Sequence, residues 1–357
     1  MAKKRESNET EQKTVSLKAL AAHLQLSPAT ISLVINKSPR AQSIPKATQE
    51  RIFEAARKLN YKPNFFARSL RSRRTFTVGV LVPEAREGYS TMVIRGIENY
   101  LLDAGYFYFM ASHHRRPDLV DQYPRMLMER SVEGFIVIDT QLEQDVPLPI
   151  VTVSGHQKMS GVTNIVLDHQ RAADLALRHL YELGHRDIAF MKGQSFSSDT
   201  EVRWDAICRA ARALKLDMPP ELCVELLEDT ISPELGIPVM DEVLKRGHPF
   251  TAVFAYNDLS AIGAIHSLRE AGLRVPEDVS VIGFDDIPLA AFQNPSLTTV
   301  RQPLEEMGAA AARTLVDRIQ GTIDLPDEIR VEPELAVRKS TGPAPAASSR
   351  TARKSIG

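Results

Sequence analysis

The chain has only two cysteines, Cys208 and Cys223, in 357 residues. They form no Cys-x-x-Cys pair, which argues against a disulfide scaffold or a cysteine-rich zinc site and for a reducing compartment. No apolar run approaches the roughly 18 residues needed to span a bilayer, so no membrane partner is expected. Residues 1–13 are polar and charged with no apolar stretch, unlike a secretory signal. That segment is expected to be disordered and the protein to stay in the cytoplasm. P-loop, GxGxxG and GxSxG strings are missing, and no His-x-x-x-His spacing supports a metal. No cofactor and no metal site are therefore expected, and binding is favoured over catalysis.

What the chain does have is a hidden division of charge. The whole sequence carries 44 Lys+Arg and 45 Asp+Glu. Before Thr75 the count is 16 basic against 5 acidic residues, a formal charge of +11; the remaining 282 residues carry 28 against 40, or −12. A small basic module suits a polyanion, and a larger acidic one does not. The basic stretch also carries helical patterns, which favours nucleic acid over a merely solvated tail.

Within it, Leu17, Leu20, Ala21 and Leu24 recur on one face of a short helix that Ser16 can cap. Gln25-Leu26-Ser27 reads as a turn. Ser27 caps a second helix with Pro28 in its first turn. Ile31, Val34 and Ile35 face inward there; Pro28, Ala29, Thr30, Ser32 and Leu33 point outward. A third helix is predicted from Pro45 to Leu59, with Ile52, Ala55, Ala56 and Leu59 inward. Two short helices joined by a tight turn fit a helix-turn-helix.

From Thr77 the rhythm changes. "TFTVGVLVP", "GYFYFMAS", "VEGFIVID" and "LPIVTVS" are short buried-type runs, with longer helical patterns between the first three. After about Asp168 the rhythm repeats in "DIAFMKG", "CVELLE", "TAVFAYND" and "VSVIGFDD". Such alternation predicts α/β parallel sheets in two similar lobes. Ligands of open α/β sheets sit beyond the carboxyl ends of the strands. Asp168, Asn257, Asp258, Asp285 and Asp286 all fall there. Asp258 and Asp286 read better as caps or structural bonds. His113 and His114 read as solvated loop residues, and His185 as a turn residue rather than a base.

The strings "SLKALAAHLQLSPATISLVIN", "RIFEAARKLNYKPNFFARSLRS" and "VGVLVPE" resemble the lactose/galactose-repressor family of bacterial transcription regulators. So do "YELGHRDIAF" and "FAYNDLSAIGAIHSLREAGLRVPEDVSVIGFDDIPLAAFQNPSLTTVRQP". The resemblance runs from about Ser16 to Thr341. It implies an all-α helix-turn-helix head, 14–62, and a hinge helix or linker, 63–75. An α/β two-lobed, periplasmic-binding-protein-like effector and dimerisation domain would follow, 76–341. Residues 342–357 are expected to form a disordered tail that adds no coiled coil. The chain should return to the first lobe near Gln302 and leave it near Ile329. Expected partners are double-stranded operator DNA, a small-molecule effector and a second copy of the chain in a homodimer.

The resemblance also assigns residues. The second helix would lie in the major groove, with Pro28, Ala29 and Leu33 at base-reading positions. None of these makes a bidentate bond to a base, so thymine methyl contacts and DNA shape should carry more of the recognition. Ser27, Thr30, Ser32, Tyr61 and Asn64 read as phosphate-positioning groups. Pro63 and Asn64 would start the hinge helix; Ala67 lies one turn before Leu70, which matches a leucine that wedges into the minor groove. In the cleft, Arg203 matches a ligand-clamping arginine, and Asn257 and Asp285 match effector contacts. Tyr89 and Ser90 align with a contacting loop, and Asp168 joins them at a strand end. Ile231 stands where an aromatic is frequent, which would leave Tyr89 as the ring of the site. A sugar or sugar acid is the expected effector. Two departures stand out: Gln25 replaces a usual turn glycine, and the loop 36–44 is about three residues longer. A periplasmic-type sugar-binding protein and an α/β enzyme are the alternatives, the first opposed by the basic helical head.

Overall fold

A computed structural model describes residues 15–36, 38–61, 74–85, 88–142, 146–156, 159–227, 232–322 and 324–346. The chain divides into two compact units, 1–75 and 76–357. Asn64, Ala67, Leu70 and Ile231, and with them most of the expected hinge, lie outside the described residues.

The head holds three helices: α1 (Leu17–Leu24), α2 (Pro28–Ile35) and α3 (Lys46–Lys58). Ser16 caps α1 by accepting from the Ala19 amide at 3.2 Å. Gln25 then turns left-handed, φ 54°, so its amide can close the helix on the Ala21 and Ala22 carbonyls. That conformation costs a non-glycine residue about 1–2 kcal/mol, and the turn is made without glycine all the same. Leu20, Ile31 and Ile52 are fully buried where the three helices meet. Each such side chain contributes roughly 1.5–3 kcal/mol by leaving water. The longer loop is not loose: Pro39–Ser43 winds into a 3-10 turn. Gln49 on α3 donates to the Ala41 and Ile44 carbonyls at 2.9 and 2.8 Å and pins it.

The second unit contains two six-stranded sheets. In the first lobe, β1 (Thr77–Val82), β2 (Phe107–Ser112), β3 (Phe135–Ile138), β4 (Ile150–Val153) and β5 (Val162–Leu167) join β11 (Glu328–Val331) in the order β11-β5-β4-β3-β1-β2, all parallel. In the second lobe, β6 (Ile188–Lys192), β7 (Cys223–Glu225), β8 (Ala252–Phe254), β9 (Ser280–Asp285) and β10 (Thr298–Arg301) join β12 (Glu334–Ala336) in the order β12-β10-β9-β8-β6-β7. Only β12 is antiparallel, to β10, among these described strands. Strands β1, β3, β4 and β5 are buried along their length, because helices cover both faces of a parallel sheet.

The chain passes between lobes three times: after β5, between β10 and α11 (Leu304–Ile319), and between β11 and β12. In the first lobe, α4 (Tyr89–Asp103) lies directly on α11. A Cβ on Gly96 would land on the Glu305 carbonyl oxygen, and one on Gly308 on that of Val93. The two glycines are what let the backbones touch.

Gly342 and Ala344, expected in a disordered tail, are instead bonded to the second lobe. Gly342 donates to Ser280 Oγ at 3.0 Å, and Ala344 donates to the Leu183 carbonyl at 2.8 Å. His185 is fully buried and joins Thr251 Oγ1 to the Gly342 carbonyl, so it anchors this segment and does more than fill a turn.

Candidate functional site

The cleft between the lobes collects the loops that follow the strands. It encloses about 860 Å³ of space free of protein atoms, its mouth included. Tyr89 and Ser90 enter it from the start of α4, just after β1. Arg203 comes from α7 (Asp199–Ala213), Asn257 from the cap of α9 (Asp258–Glu270), and Asp285 from the last position of β9. Five expected residues thus line one cleft, Tyr89 and Ser90 from the first lobe and Arg203, Asn257 and Asp285 from the second, beyond the carboxyl ends of strands.

Arg203 is buried and held from three sides. It donates to the Tyr256 carbonyl at 2.8 Å and to Asp199 Oδ2 at 3.2 Å. Its guanidinium lies 3.8 Å from the centre of the Phe284 ring and 4.5 Å from that of Tyr256. Its Nε is buried without a partner among the described residues. Asp285 accepts from Gln302 Nε2 at 2.6 Å. Burial pushes its carboxyl up to about 7, although the Arg203 charge and the Gln302 bond pull the other way. Its φ of 110° is strained for a non-glycine residue, and such strain gathers at functional positions. Asn257 accepts from the Ser260 amide at 2.8 Å in a capping box, which leaves its amide nitrogen to the cleft.

Asp168 has a different task. It caps α6 (His169–Glu182), accepting from the Arg171 amide at 2.9 Å, and does not line the cleft. Asp258 and Asp286 are structural, as expected. Asp258 accepts from the Ile287 amide at 2.8 Å and Thr299 at 2.5 Å. Asp286 accepts from Arg301 and Arg338.

Several cleft residues escaped the sequence reading: Arg115, Asp139, Phe196, Asp199 and Tyr256. Asp139 accepts from the Ser198 amide at 2.9 Å and its hydroxyl at 2.7 Å, tying the first lobe to the second. Arg115 donates to Asp139 at 3.0 Å and lies 4.2 Å over the Phe196 ring. Tyr89 is therefore not the only ring of the cleft. Asp139 follows a strand, and Asp199 stands four residues before Arg203, so both carried a positional signal. His113 is a correction. It is 3% exposed, bonded to Thr140 Oγ1 at 2.8 Å, and lowered to about 4 by burial with help from the Arg115 and His114 charges. Asp199 also gathers His156 and His169, although no spacing in the sequence suggested it.

In the head, Ser27, Pro28 and Ala29 are exposed on α2, while Thr30, Ser32, Leu33 and Tyr61 are half-buried. Leu33 and Tyr61 pack in part against the head core, so less of each is free to meet a ligand. The Ser27 hydroxyl accepts from the Thr30 amide at 3.0 Å.

A family model described as bacterial regulatory proteins, lacI family, matches residues 16–64, and one described as a periplasmic binding protein-like domain matches 177–341. The HTH-type transcriptional repressor PurR of Aliivibrio fischeri (strain MJ11) is 33% identical over 333 residues, 91% of this chain and 98% of that protein. The chain belongs to the lacI family. It is a DNA-binding transcriptional regulator of the effector-controlled kind. The PurR of Yersinia enterocolitica is 32% identical over 339 residues, covering 92% of this chain and 98% of that one. Among solved structures, a lac repressor dimer bound to operator and the anti-inducer ONPF superposes with a TM-score of 0.82 at 24% identity, over 92% of this chain and 100% of that one, a likeness of fold. A CelR–cellobiose complex superposes at 0.67 with 29% identity, over 91% and 99%. Among the described residues, no helix of this lacI-family chain is long and apolar enough to cross a membrane.

Proposed function

We propose that this regulator works as a cytoplasmic homodimer, binds a pseudo-palindromic operator through two heads, and acts by binding alone, without turnover. The observation that carries the reading is the pairing of a capped α2, with Ser27, Pro28 and Ala29 exposed on its first turn, with a cleft built around Arg203. Helix N-termini and small hydroxyls suit phosphate oxygens, so Ser27, Thr30 and Ser32 position the head while Pro28, Ala29 and Leu33 meet base edges. Tyr61 adds a phosphate contact from beyond α3.

The effector sits against Tyr89, Ser90, Arg203, Asn257 and Asp285. Asp139 and Asp285 supply acceptors for hydroxyls, Arg115 a cation, and Phe196, 39% exposed, a flat face. That set favours a sugar or sugar acid. A regulator structure solved with cellobiose supports the same class. Effector binding shifts the closure of the lobes and thereby operator affinity, a coupling of typically about 1–3 kcal/mol.

Two experiments test the reading. Selection of bound fragments from a genomic library, read by sequencing, should return a two-fold symmetric site. Affinity for that site should fall steeply with salt as basic groups displace counterions; unselective binding with a flat salt response would overturn the DNA role. A thermal-shift screen of sugars, sugar acids and nucleobases identifies the effector, because a ligand of the native state raises Tm.

A further inference from the structure

Two imidazoles converge on one carboxylate oxygen at the edge of the cleft. His156 Nε2 lies 2.6 Å from Asp199 Oδ1, and His169 Nε2 lies 3.3 Å from the same atom. His156 belongs to the first lobe, in the loop after β4; His169 and Asp199 open α6 and α7 of the second. We propose that His156, His169 and Asp199 form a site for a divalent transition metal, Zn²⁺ or a cation of similar character, that bridges the two lobes.

The donor set suits such an ion. Imidazole nitrogen and carboxylate oxygen are ligands of borderline cations, and two histidines with one carboxylate recur in sites that keep a position open. Bonds of about 2.0–2.1 Å in a tetrahedron put ligand atoms roughly 3.3 Å apart. The His169–Asp199 separation of 3.3 Å already fits, and the three ligand atoms all lie within 4.8 Å of one another. His156 Nε2 stands about 0.7 Å nearer Asp199 Oδ1 than that spacing, so it would draw back as the ion enters.

The carboxylate is also prepared for a single metal bond. Oδ1 faces the imidazoles, while Oδ2 is held by Arg203 at 3.2 Å and by the Ser154 hydroxyl at 3.3 Å. Ligating carboxylates are commonly fixed in this way by partners on the far oxygen. The guanidinium stands on the opposite side of Asp199, so the carboxylate separates the two cations. His169 is 4% exposed, so its Nε2 meets the Asp199 carboxylate away from water. A fourth position remains for water or a cleft ligand, since Asp199 lines the cleft and His156 an adjoining cavity of about 700 Å³, its mouth included. A metal held from both lobes stabilises their closed arrangement, which makes the ion a co-effector.

The test uses the full-length, untagged chain. Loaded with Co²⁺ after chelation, it should take one ion per chain and show the visible absorption of four-coordinate Co²⁺; Zn²⁺ should displace the ion and raise Tm. His156→Ala should weaken Co²⁺ binding about a hundredfold or more, since loss of outer partners alone costs about 10–100-fold. His266→Ala, at an exposed position on α9, should bind as the wild type does. X-ray absorption fine structure of the Zn²⁺-loaded wild type, which needs no variant to fold, should count two imidazoles. No stoichiometric binding, equal affinity in His156→Ala, or a shell with fewer than two imidazoles would overturn the proposal. These readouts involve neither DNA nor effector, so they fail or succeed separately from the regulatory reading.

Discussion

Asp285 offers a direct measure of how the cleft treats charge. Its side chain is 7% exposed, and burial lifts its carboxyl from the ordinary 3.8 to about 7. A carboxyl raised in the fold means that the native state keeps a proton the unfolded chain has already lost. The stability that Asp285 contributes is therefore highest below about 3.8, falls as pH rises from there toward 7, and levels off above 7. At about 1.36 kcal/mol per unit, a shift of about three units amounts to roughly 4 kcal/mol in all. Applying the same linkage from pH 6 to pH 8.5 leaves about 1.4 kcal/mol still to be lost in that interval. Asp285→Asn cannot ionise and keeps the oxygen that accepts from Gln302. Urea unfolding of both proteins, read from Trp204, reports this lobe. Trp204 is the single tryptophan of the chain, and it packs edge-on against Phe190 at 6.4 Å. The variant should gain about 1.4 kcal/mol on the wild type between pH 6 and pH 8.5. A difference that stays constant across that range would mean that Asp285 is ionised throughout, held by Arg203, and the reasoning would fail.

Arg203→Ala should weaken binding of the identified effector by about 1.5–3 kcal/mol, roughly ten- to a hundredfold, because charge-assisted bonds in a desolvated cleft are costly to lose. Calorimetry decides it, and wild-type affinity would take Arg203 out of the site. Gly96→Ala should destabilise the first lobe by at least about 1–3 kcal/mol, since the added Cβ meets backbone that cannot rotate away; an unchanged Tm would refute the close approach of α4 and α11. Ser16→Ala should cost the head about 1 kcal/mol through loss of the α1 cap while leaving effector affinity as it was. Equal unfolding midpoints for the isolated transition of the head would show the cap to be idle.

The sequence by itself determined whatever is written in local periodicity and chain order. Leu20, Ile31 and Ile52 fall on helical faces that can meet only in one small core, so the head was legible, including the place of its turn; that Gln25 turns left-handed was decided by the fold. The buried-type runs announced parallel strands, and strand ends located Asn257 and Asp285 at the cleft. The boundary of the tail was not legible, because Gly342 and Ala344 are fixed by Ser280 and Leu183, far away in sequence. His113 looked solvated because nothing local reveals that Thr140 covers it. Asp168 looked like a site residue because strand ends supply both ligand contacts and helix caps, and only the direction of its side chain separates the two. The meeting of His156, His169 and Asp199 belongs entirely to tertiary structure. These residues come from a loop of one lobe and two helix starts of the other. No spacing along the chain encodes their approach, which is set by how two separately packed sheets close on each other.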